Sequence, residues 1–345
     1  MKTTLKLPCT PEECDDFLSR PTAGVIETVK KLAGDIFIAG VGGKMGPTLA
    51  LMAAKAQAAS GRKHKVFGVS RFSSPASREL LEKNGIETIA CDLMKESEVA
   101  KLPEVKNIIF MAGQKFGTSS GPELTWAMNT LVPANVAKRY PDSRHVVFST
   151  GCVYSYAKVI FGGSREDAPT DPPGDYANSC LGREQIYSYF SKANKTPVCL
   201  FRLNYAIDFR YGVLLDIASK VYAGKPVDVT MGHVNLIWQG DANARAIQSL
   251  EVADSPARPF NVTGPETVSV RELAHRFAAL FDKEVQITGE EADKVWLGNA
   301  GDSFRRFGYP EVALDNMIEW VAAWVLQGGK TLGKPTHFET RDGKF

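Results

Sequence analysis

Short, nearly all-apolar runs alternate with longer mixed segments over most of the chain. The runs predict strands at 35–40, 65–70, 87–93, 107–113, 145–151, 199–204 and 259–264. The segments between them predict helices, among them one through about residue 60 and others at 75–84 and 122–139. Buried strands separated by helices are typical of a parallel sheet covered on both faces. We therefore predict a doubly wound α/β fold (Rossmann-type), in which ligands lie at the carboxyl ends of the strands.

The flanking segments suggest a division of the chain. Residues 1–34 read as a helical extension, whose second helix ends near Gly34, a candidate C-cap. We predict a dinucleotide-binding domain at 35–204, joined by the strand 259–264, and a smaller, mainly substrate-binding lobe at 205–345. Helices at 269–281 and 313–326 belong to that lobe. The polar tail 334–345 is expected to be an exposed arm.

Composition and charge exclude several classes of protein. Of 345 residues, 44% are hydrophobic and 23% charged, and the net charge of +2 argues against nucleic-acid or membrane partners. No stretch suits a signal peptide or a membrane span, so we expect a cytoplasmic protein with six reduced cysteines. The scattered histidines and cysteines predict no metal site.

A glycine-rich turn follows the first predicted strand. Gly40, Gly43 and Gly46 are spaced so that a pyrophosphate can approach the backbone at a helix N-terminus. A tight turn without a ligand is the alternative, but the position after the first apolar strand favours a dinucleotide.

The second strand ends in Ser70 and Arg71, where an acidic residue would bind the ribose hydroxyls of NAD. A basic residue there favours the 2′-phosphate of NADP. We therefore favour NADP weakly over NAD, since a solvated surface arginine gives the same pattern.

Further motifs occur in a fixed order. They are Asp92-Leu93, Met111-Ala112-Gly113, Asn129, the string STGCVYS at 149–155, Tyr176, and Arg202-Leu203-Asn204. With the glycine turn, this set resembles the extended short-chain dehydrogenases/reductases, the epimerase/dehydratase group, from about residue 35 to 326. The resemblance implies that Asp92, Leu93, Ala112, Gly113 and Lys115 lie at the cofactor, Lys115 alternatively being a solvated loop lysine.

The resemblance also implies the catalytic residues. Thr150 would hold the reacting oxygen of the substrate, and Tyr176 would exchange its proton as hydride moves to or from nicotinamide. Asn129 would be structural, bending its helix around a water. A second Tyr-x-x-x-Lys string, Tyr154 to Lys158, lies too close to Thr150 to be the active pair.

The family's lysine, four residues after the tyrosine, is replaced by Cys180. Without that cation the pKa of Tyr176 should stay high, which impairs base catalysis. Arg183, Lys158 or Lys115 is a candidate substitute. Alternatively, Cys180 acts as a nucleophile or redox thiol.

Two departures from the family bear on the substrate. Val234 stands where nucleotide-sugar epimerases place a diphosphate-binding arginine, and Tyr205 stands where an asparagine is common. We expect an NAD(P)-dependent oxidoreductase or epimerase acting on a sugar or other small polyhydroxylated compound, not linked to a nucleotide. The alternatives are a catalytically impaired dinucleotide-binding sensor or scaffold, and a non-redox lyase. The resemblance further implies a homodimer formed through helices 122–139 and 176–193.

Overall fold

A seven-stranded parallel sheet forms the centre of the molecule. The computed structural model describes residues 6–115 and 121–343. The strands, labelled β1 to β7, are Ile36–Ala39, Val66–Ser70, Glu87–Ala90, Asn107–Phe110, Arg144–Thr150, Val198–Leu203 and Arg258–Val262. The first four lie within predicted apolar runs, and β5, β6 and β7 each begin one residue before theirs. The predicted doubly wound α/β fold is therefore confirmed.

The strand order places the ligand-binding edge. The sheet runs β7-β6-β5-β4-β1-β2-β3, and all neighbours are parallel. Strand β1 pairs with β2 on one side and with β4 on the other, so the chain reverses its direction of winding between β1 and β4. In such sheets a crevice opens at this switch point, beyond the carboxyl ends of the strands.

The described ranges contain twelve α-helices. Labelled α1 to α12, they are Pro11–Leu18, Ala23–Lys31, Gly46–Ser60, Pro75–Lys83, Glu96–Val99, Pro122–Arg139, Gly174–Asn194, Val213–Tyr222, Gln239–Gln248, Val270–Phe281, Gly301–Phe307 and Leu314–Leu326. Helix α2 ends at Lys31, because Leu32 turns extended and packs into the core. Gly34 is therefore not its C-cap, and the expectation that it caps the helix is wrong.

The N-terminal helices pack against the rest of the molecule. Phe17 of α1 makes edge-to-face contacts with Phe209, Trp238 and Trp320, which attach this helix to the C-terminal part of the chain. Asp15 accepts a hydrogen bond of 2.7 Å from Arg210, the residue before Tyr211. The extension is thus fixed beside a segment that lines the central cavity.

The expectation of an exposed C-terminal arm is wrong for the described part of the tail. Phe338 is 1% exposed, and Thr336 donates two hydrogen bonds to the Asp216 carboxylate, from its backbone N–H at 2.8 Å and its hydroxyl at 2.6 Å. Tyr156 donates a hydrogen bond to the Arg341 carbonyl at 2.5 Å. Buried apolar surface and satisfied polar groups hold the segment against the rest of the molecule, although its composition is mostly polar. Residues 344 and 345 lie outside the described ranges.

Candidate active site

The glycine turn joins β1 to α3 with very little space. A Cβ at Gly40, which has φ +89°, would lie 2.6 Å from the backbone of Ala112, and one at Gly46 would lie 2.2 Å from the Val41 carbonyl oxygen. Both positions therefore exclude any side chain. Gly43 is less crowded and lines the adjoining cavities, so its backbone is open to a ligand.

A cavity of about 210 Å³ lies between the ends of β1, β2, β3 and β4. It collects most of the predicted cofactor residues, which are Gly40, Gly43, Ser70, Arg71, Asp92, Leu93, Ala112 and Gly113. Gly46 packs beneath the turn instead. Asp92 also accepts a hydrogen bond from the backbone N–H of Met94, which fixes the turn after β3.

A second cavity, of about 270 Å³, contains the predicted catalytic pair Thr150 and Tyr176. It shares Gly43, Met111 and Gly113 with the first cavity, so the two form one groove along the carboxyl edge of the sheet. An elongated ligand fits such a groove, with its middle at the glycine turn. The residues present therefore fit a dinucleotide whose nicotinamide end reaches Tyr176.

Tyr176 lies in the first turn of α7, and its hydroxyl is difficult to ionise. Burial raises its pKa well above 10, and Cys180 and Cys152 add to this effect. Cys180, one turn later, is 1% exposed and shares a hydrogen bond with Tyr176. Burial raises the pKa of the Cys180 thiol to about 11, so this residue is neutral at pH 7.

Arg183 is the cation that opposes this rise in the pKa of Tyr176. It lies one turn beyond Cys180 and is 5% exposed. Its guanidinium donates to the Phe148 carbonyl at 2.6 Å and to Oδ1 of Asn129 at 2.5 Å. Both acceptors are neutral, so the positive charge of Arg183 is not cancelled by them.

Asn129 connects three parts of the site. Besides accepting from Arg183, its side chain accepts a hydrogen bond from the backbone N–H of Gln114 and donates one to the Gln114 carbonyl, each at 3.0 Å. It also donates to the Ser179 hydroxyl at 2.9 Å. Asn129 is fully buried and does not line the cavity, so it supports the loop that carries Lys115.

The two candidate lysines lie in different surroundings. Nζ of Lys115 is 5.9 Å from the ring centroid of Tyr176 and 3.4 Å from the Thr336 carbonyl oxygen, and burial lowers its pKa. Lys158 is exposed, on a short strand paired with Lys294, and does not line the cavity. Tyr154 is also outside the cavity, where it donates to Asn261 and accepts from Arg202.

A buried ion pair supports the strand end that carries Thr150. Arg202 of β6 contacts Glu184 of α7 through two hydrogen bonds of 2.9 and 2.6 Å. The same carboxylate accepts from the Ser149 hydroxyl at 2.6 Å. The hydroxyl of Thr150 accepts from the backbone N–H of Cys152 at 3.1 Å, which keeps its own proton available for another acceptor.

Sequence reasoning missed several residues that line this cavity, among them Lys44, Tyr211 and Thr336. Nζ of Lys44 lies 4.0 Å from the ring centroid of Tyr211 and 3.9 Å from the Asp208 carboxylate. Burial lowers the pKa of Lys44 to about 8. Lys44 is the one charged residue between Gly40 and Gly46, a signal that was available in the sequence.

Within residues 6–115 and 121–343, no three His, Cys, Asp or Glu side chains are arranged to hold a metal ion. Across the same ranges, no helix has the length and apolar character needed to span a membrane.

Solved structures with the same fold come from several bacteria. A UDP-glucuronic acid 4-epimerase variant from Bacillus cereus, with NAD and a fluorinated UDP-sugar, matches with a TM-score of 0.70 at 17% identity, over 85% of this chain and 99% of the other. A dTDP-glucose 4,6-dehydratase from Streptomyces venezuelae, with NAD, matches with a TM-score of 0.71 at 15% identity, over 85% of this chain and 97% of the other. The UDP-glucose 4-epimerase of Thermus thermophilus, with NAD, matches with a TM-score of 0.68 at 18% identity, over 84% of this chain and 98% of the other.

Sequence comparison gives the family. No curated protein sequence matches the chain significantly. A family model described as "NAD dependent epimerase/dehydratase family" matches residues 36–231, which is more than half of the chain. That range holds the glycine turn, Thr150 and Tyr176. The chain therefore belongs to the NAD-dependent epimerase/dehydratase family.

Proposed function

We propose that the protein is an NAD(P)-dependent oxidoreductase or epimerase that acts on a small polyhydroxylated compound. The observation that carries this proposal is the continuous groove from the glycine turn to Thr150 and Tyr176. The cofactor, when bound, supplies a hydride donor or acceptor. The protein then has to bind the substrate oxygen and move one proton at it.

Thr150 and Tyr176 perform that task. The Thr150 hydroxyl donates a hydrogen bond to the substrate oxygen, since one of its two lone pairs accepts from the N–H of Cys152 and its proton remains available. Tyr176 is protonated at neutral pH because its pKa is raised. It is therefore suited to give a proton to a carbonyl oxygen that is being reduced, and less suited to remove one from an alcohol. We expect reduction to be the faster direction.

Arg183 supplies the positive charge near Tyr176 that the family's lysine would supply. Cys180 cannot do so, because a thiol is either neutral, as this one is at pH 7, or negatively charged. Arg183 lies on the same helix, lines the same cavity and lowers the pKa of Tyr176. Lys115 is the second candidate, and the exposed Lys158 gains no support from its position.

We propose that the preferred cofactor is NADP. Arg71 and Ser70 line the first cavity at the end of β2, where no carboxylate follows the strand. A 2′-phosphate beside a guanidinium gains charge-assisted hydrogen bonds that a hydroxyl does not. The three solved structures above contain NAD, so NADH is the necessary comparison.

For the substrate we propose a compound without a nucleotide. Val234, at the position of the diphosphate-binding arginine, is 1% exposed and pairs with Val268, so it offers no charge to a diphosphate. Tyr205 lines the cavity with φ 39°, an uncommon backbone conformation for a tyrosine. The bulky ring at this position favours a substrate smaller than the UDP- and dTDP-sugars named for the solved structures.

A sensor or scaffold that binds a dinucleotide without turnover is the second candidate. The raised pKa of Tyr176 beside the neutral Cys180 favours it, because both features slow proton removal. It predicts tight cofactor binding and no reaction that depends on Tyr176.

Fluorescence titration with NADPH and NADH, followed by a substrate screen, tests these proposals. We expect NADPH to bind more tightly, and Arg71→Ala to remove that preference. Tyr176→Phe should abolish turnover and retain cofactor binding, while Tyr189→Phe, on the exposed face of the same helix, should change neither. If the protein binds neither NADPH nor NADH, the enzyme proposal and the sensor proposal are both wrong. Turnover that survives Tyr176→Phe contradicts the catalytic role.

A further inference from the structure

A third and larger cavity, of about 890 Å³, adjoins the glycine turn. It shares Gly43 and Lys44 with the catalytic cavity around Thr150 and Tyr176. Charged side chains of both signs line it, and two of its acids, Glu12 and Asp15, belong to helix α1. This helix precedes the residues that the family model matches. The N-terminal extension thus forms part of a cavity wall beside the proposed cofactor groove.

The side chain of Lys44 crosses from the glycine turn to the segment 206–211, which follows β6. Its Nζ lies 3.4 Å from the Ala206 carbonyl oxygen, 3.9 Å from the Asp208 carboxylate and 4.0 Å from the ring centroid of Tyr211. These contacts are longer than a typical hydrogen bond, so the ammonium group can still donate to a stronger acceptor. A diphosphate on the glycine turn provides such acceptors.

Asp208 connects Lys44 to the next residues of the chain. It is 1% exposed, and its Oδ1 accepts a hydrogen bond of 2.5 Å from the backbone N–H of Arg210. In the described part of the chain, no group donates a hydrogen bond to Oδ2, the oxygen that faces Lys44. A buried carboxylate of this kind depends on nearby positive charge. The position of Lys44 is therefore tied to that of the segment 208–211.

Helix α1 fixes the same segment through Arg210. The Arg210 guanidinium donates to Oδ1 of Asp15 at 2.7 Å and to the Pro11 carbonyl at 3.3 Å. This ion pair is largely enclosed, with side-chain exposures of 11% for Arg210 and 21% for Asp15. Arg210 also interacts electrostatically with Asp208. Charges of alternating sign therefore run from Asp15 through Arg210 and Asp208 to Lys44.

We propose that helix α1 is part of the dinucleotide site, where Asp15 and Arg210 position Lys44 to bind the cofactor diphosphate. This inference rests on the proposed function, because it concerns the same cofactor. Asp15 and Arg210 are positioning residues, since they act on the ligand through Asp208 and Lys44. The extension therefore adds affinity for the diphosphate, which NAD and NADP share, and none for the 2′-phosphate.

Fluorescence titration with NADPH and with NADH tests the role of Lys44. Both nucleotides carry the same diphosphate, so we expect Lys44→Met to weaken both by the same factor, about tenfold or more. Arg71→Ala, at the proposed 2′-phosphate site, should weaken NADPH alone. A loss confined to NADPH in Lys44→Met would place this lysine at the 2′-phosphate, and unchanged affinity for both nucleotides would remove it from the site. Either result overturns the inference.

Asp15→Ala tests the positioning role against a matched change on the same helix. Asp16→Ala also removes one carboxylate and an ion pair that joins α1 to the rest of the protein, with Lys55, but Asp16 does not line the third cavity. We expect Asp15→Ala to bind both nucleotides about two- to fivefold more weakly than Asp16→Ala. Asp15→Asn, which keeps an oxygen for Arg210, should recover most of that loss. Equal affinities in the two alanine variants, or tighter binding in Asp15→Ala, would show that Asp15 does not position the site.

A double variant tests whether Asp15 acts through Lys44. In Lys44→Met, adding Asp15→Ala should cause no further loss, because the residue that Asp15 positions is already gone. An additional loss as large as in the wild-type background contradicts the inference. If the wild-type protein binds neither NADPH nor NADH, the proposed function is wrong and this inference with it. If the wild-type protein binds them and a variant gives one of the contrary results, the inference alone is wrong.

Discussion

Gly113 makes room for the guanidinium of Arg183. A Cβ atom at position 113 would lie 2.4 Å from Nη2 of Arg183 and 2.8 Å from Oδ1 of Asn129. The position of the Arg183 guanidinium therefore requires a glycine at position 113, in the loop after β4. Three distant parts of the sequence are fitted to one another here.

Gly113→Ala should displace Arg183 and lower kcat about 10- to 100-fold, because the pKa of Tyr176 then rises further. Steady-state kinetics with the cofactor and a screened substrate measures this. Gly298→Ala is the matched control, since Gly298 also lacks a positive φ and a Cβ there would lie no nearer than 3.8 Å to any other group. A wild-type kcat in Gly113→Ala would mean that turnover does not require the Arg183 guanidinium in this position.

Arg183→Met should lower kcat by a similar factor and move the pH dependence of alcohol oxidation to higher pH. The double variant Cys180→Lys/Arg183→Met restores a cation at the family's usual position, and we expect it to recover at least about tenfold of the loss. Arg306→Met, an exposed arginine far along the chain, is the control for lost charge. An Arg183→Met enzyme with an unchanged pH profile would exclude Arg183 as the substitute cation.

Cofactor binding should weaken as the pH rises past the lowered pKa of Lys44. With a pKa of about 8, the charged fraction of Lys44 falls about tenfold between pH 7 and pH 9, and affinity for the phosphates should fall in proportion. Lys44→Arg should bind NADPH equally at both pH values, since arginine stays charged. The same steep loss in Lys44→Met would show that another group is responsible.

His145 should make the protein less stable in mild acid. The fully buried imidazole hydrogen-bonds to the Tyr140 carbonyl through Nε2, and burial lowers its pKa to about 4. Between pH 6.5 and 4 the unfolded chain binds a proton at this residue that the folded chain does not. The free energy of unfolding should therefore fall by up to about 3 kcal/mol as the pH drops through that window.

Urea unfolding of His145→Gln at pH 7 and pH 4.5 measures that contribution. The variant should lose part of the difference between the two pH values, whereas His275→Gln, an exposed histidine, should keep all of it. An unchanged difference in His145→Gln would rule out this histidine as a cause of acid sensitivity.

We expect a homodimer formed through α6 and α7. Leu131 is 55% and Tyr189 66% exposed on these helices, and apolar side chains on such a surface suit burial against a second copy. Leu131→Arg should give monomers in light scattering, while Ile160→Arg, an exposed residue outside both helices, should leave the dimer intact. A monomeric wild-type protein would contradict the expectation.

The sequence predicts those parts of the structure that depend on local patterns. All seven sheet strands match predicted apolar runs to within one residue at their starts or lie inside them. The steric need for glycine at Gly40 and Gly46 follows from the strand–helix turn that the pattern indicates. Thr336 could not be found in this way. Its place in the cavity wall depends on hydrogen bonds to Asp216, about 120 residues earlier in the chain. The residues around Thr336 are mostly polar and show no periodic pattern of apolar positions that would predict burial.

Arg183 shows an intermediate case. Helical spacing puts it on the face of Tyr176, so sequence reasoning could name it beside Lys115 and Lys158. The choice among the three depends on tertiary contacts, namely the space left at Gly113 and the exposure of Lys158. Such contacts are not encoded in any one stretch of the chain.

The packed C-terminal segment has a consequence for biosynthesis. Every other residue of the catalytic cavity lies between Gly43 and Val213, so the ribosome has made all of them long before Thr336 emerges. A nascent chain can form the glycine turn and its sheet early, yet its substrate cavity lacks one wall until translation has passed residue 336. Affinity for the dinucleotide should thus be acquired during synthesis before affinity for the substrate.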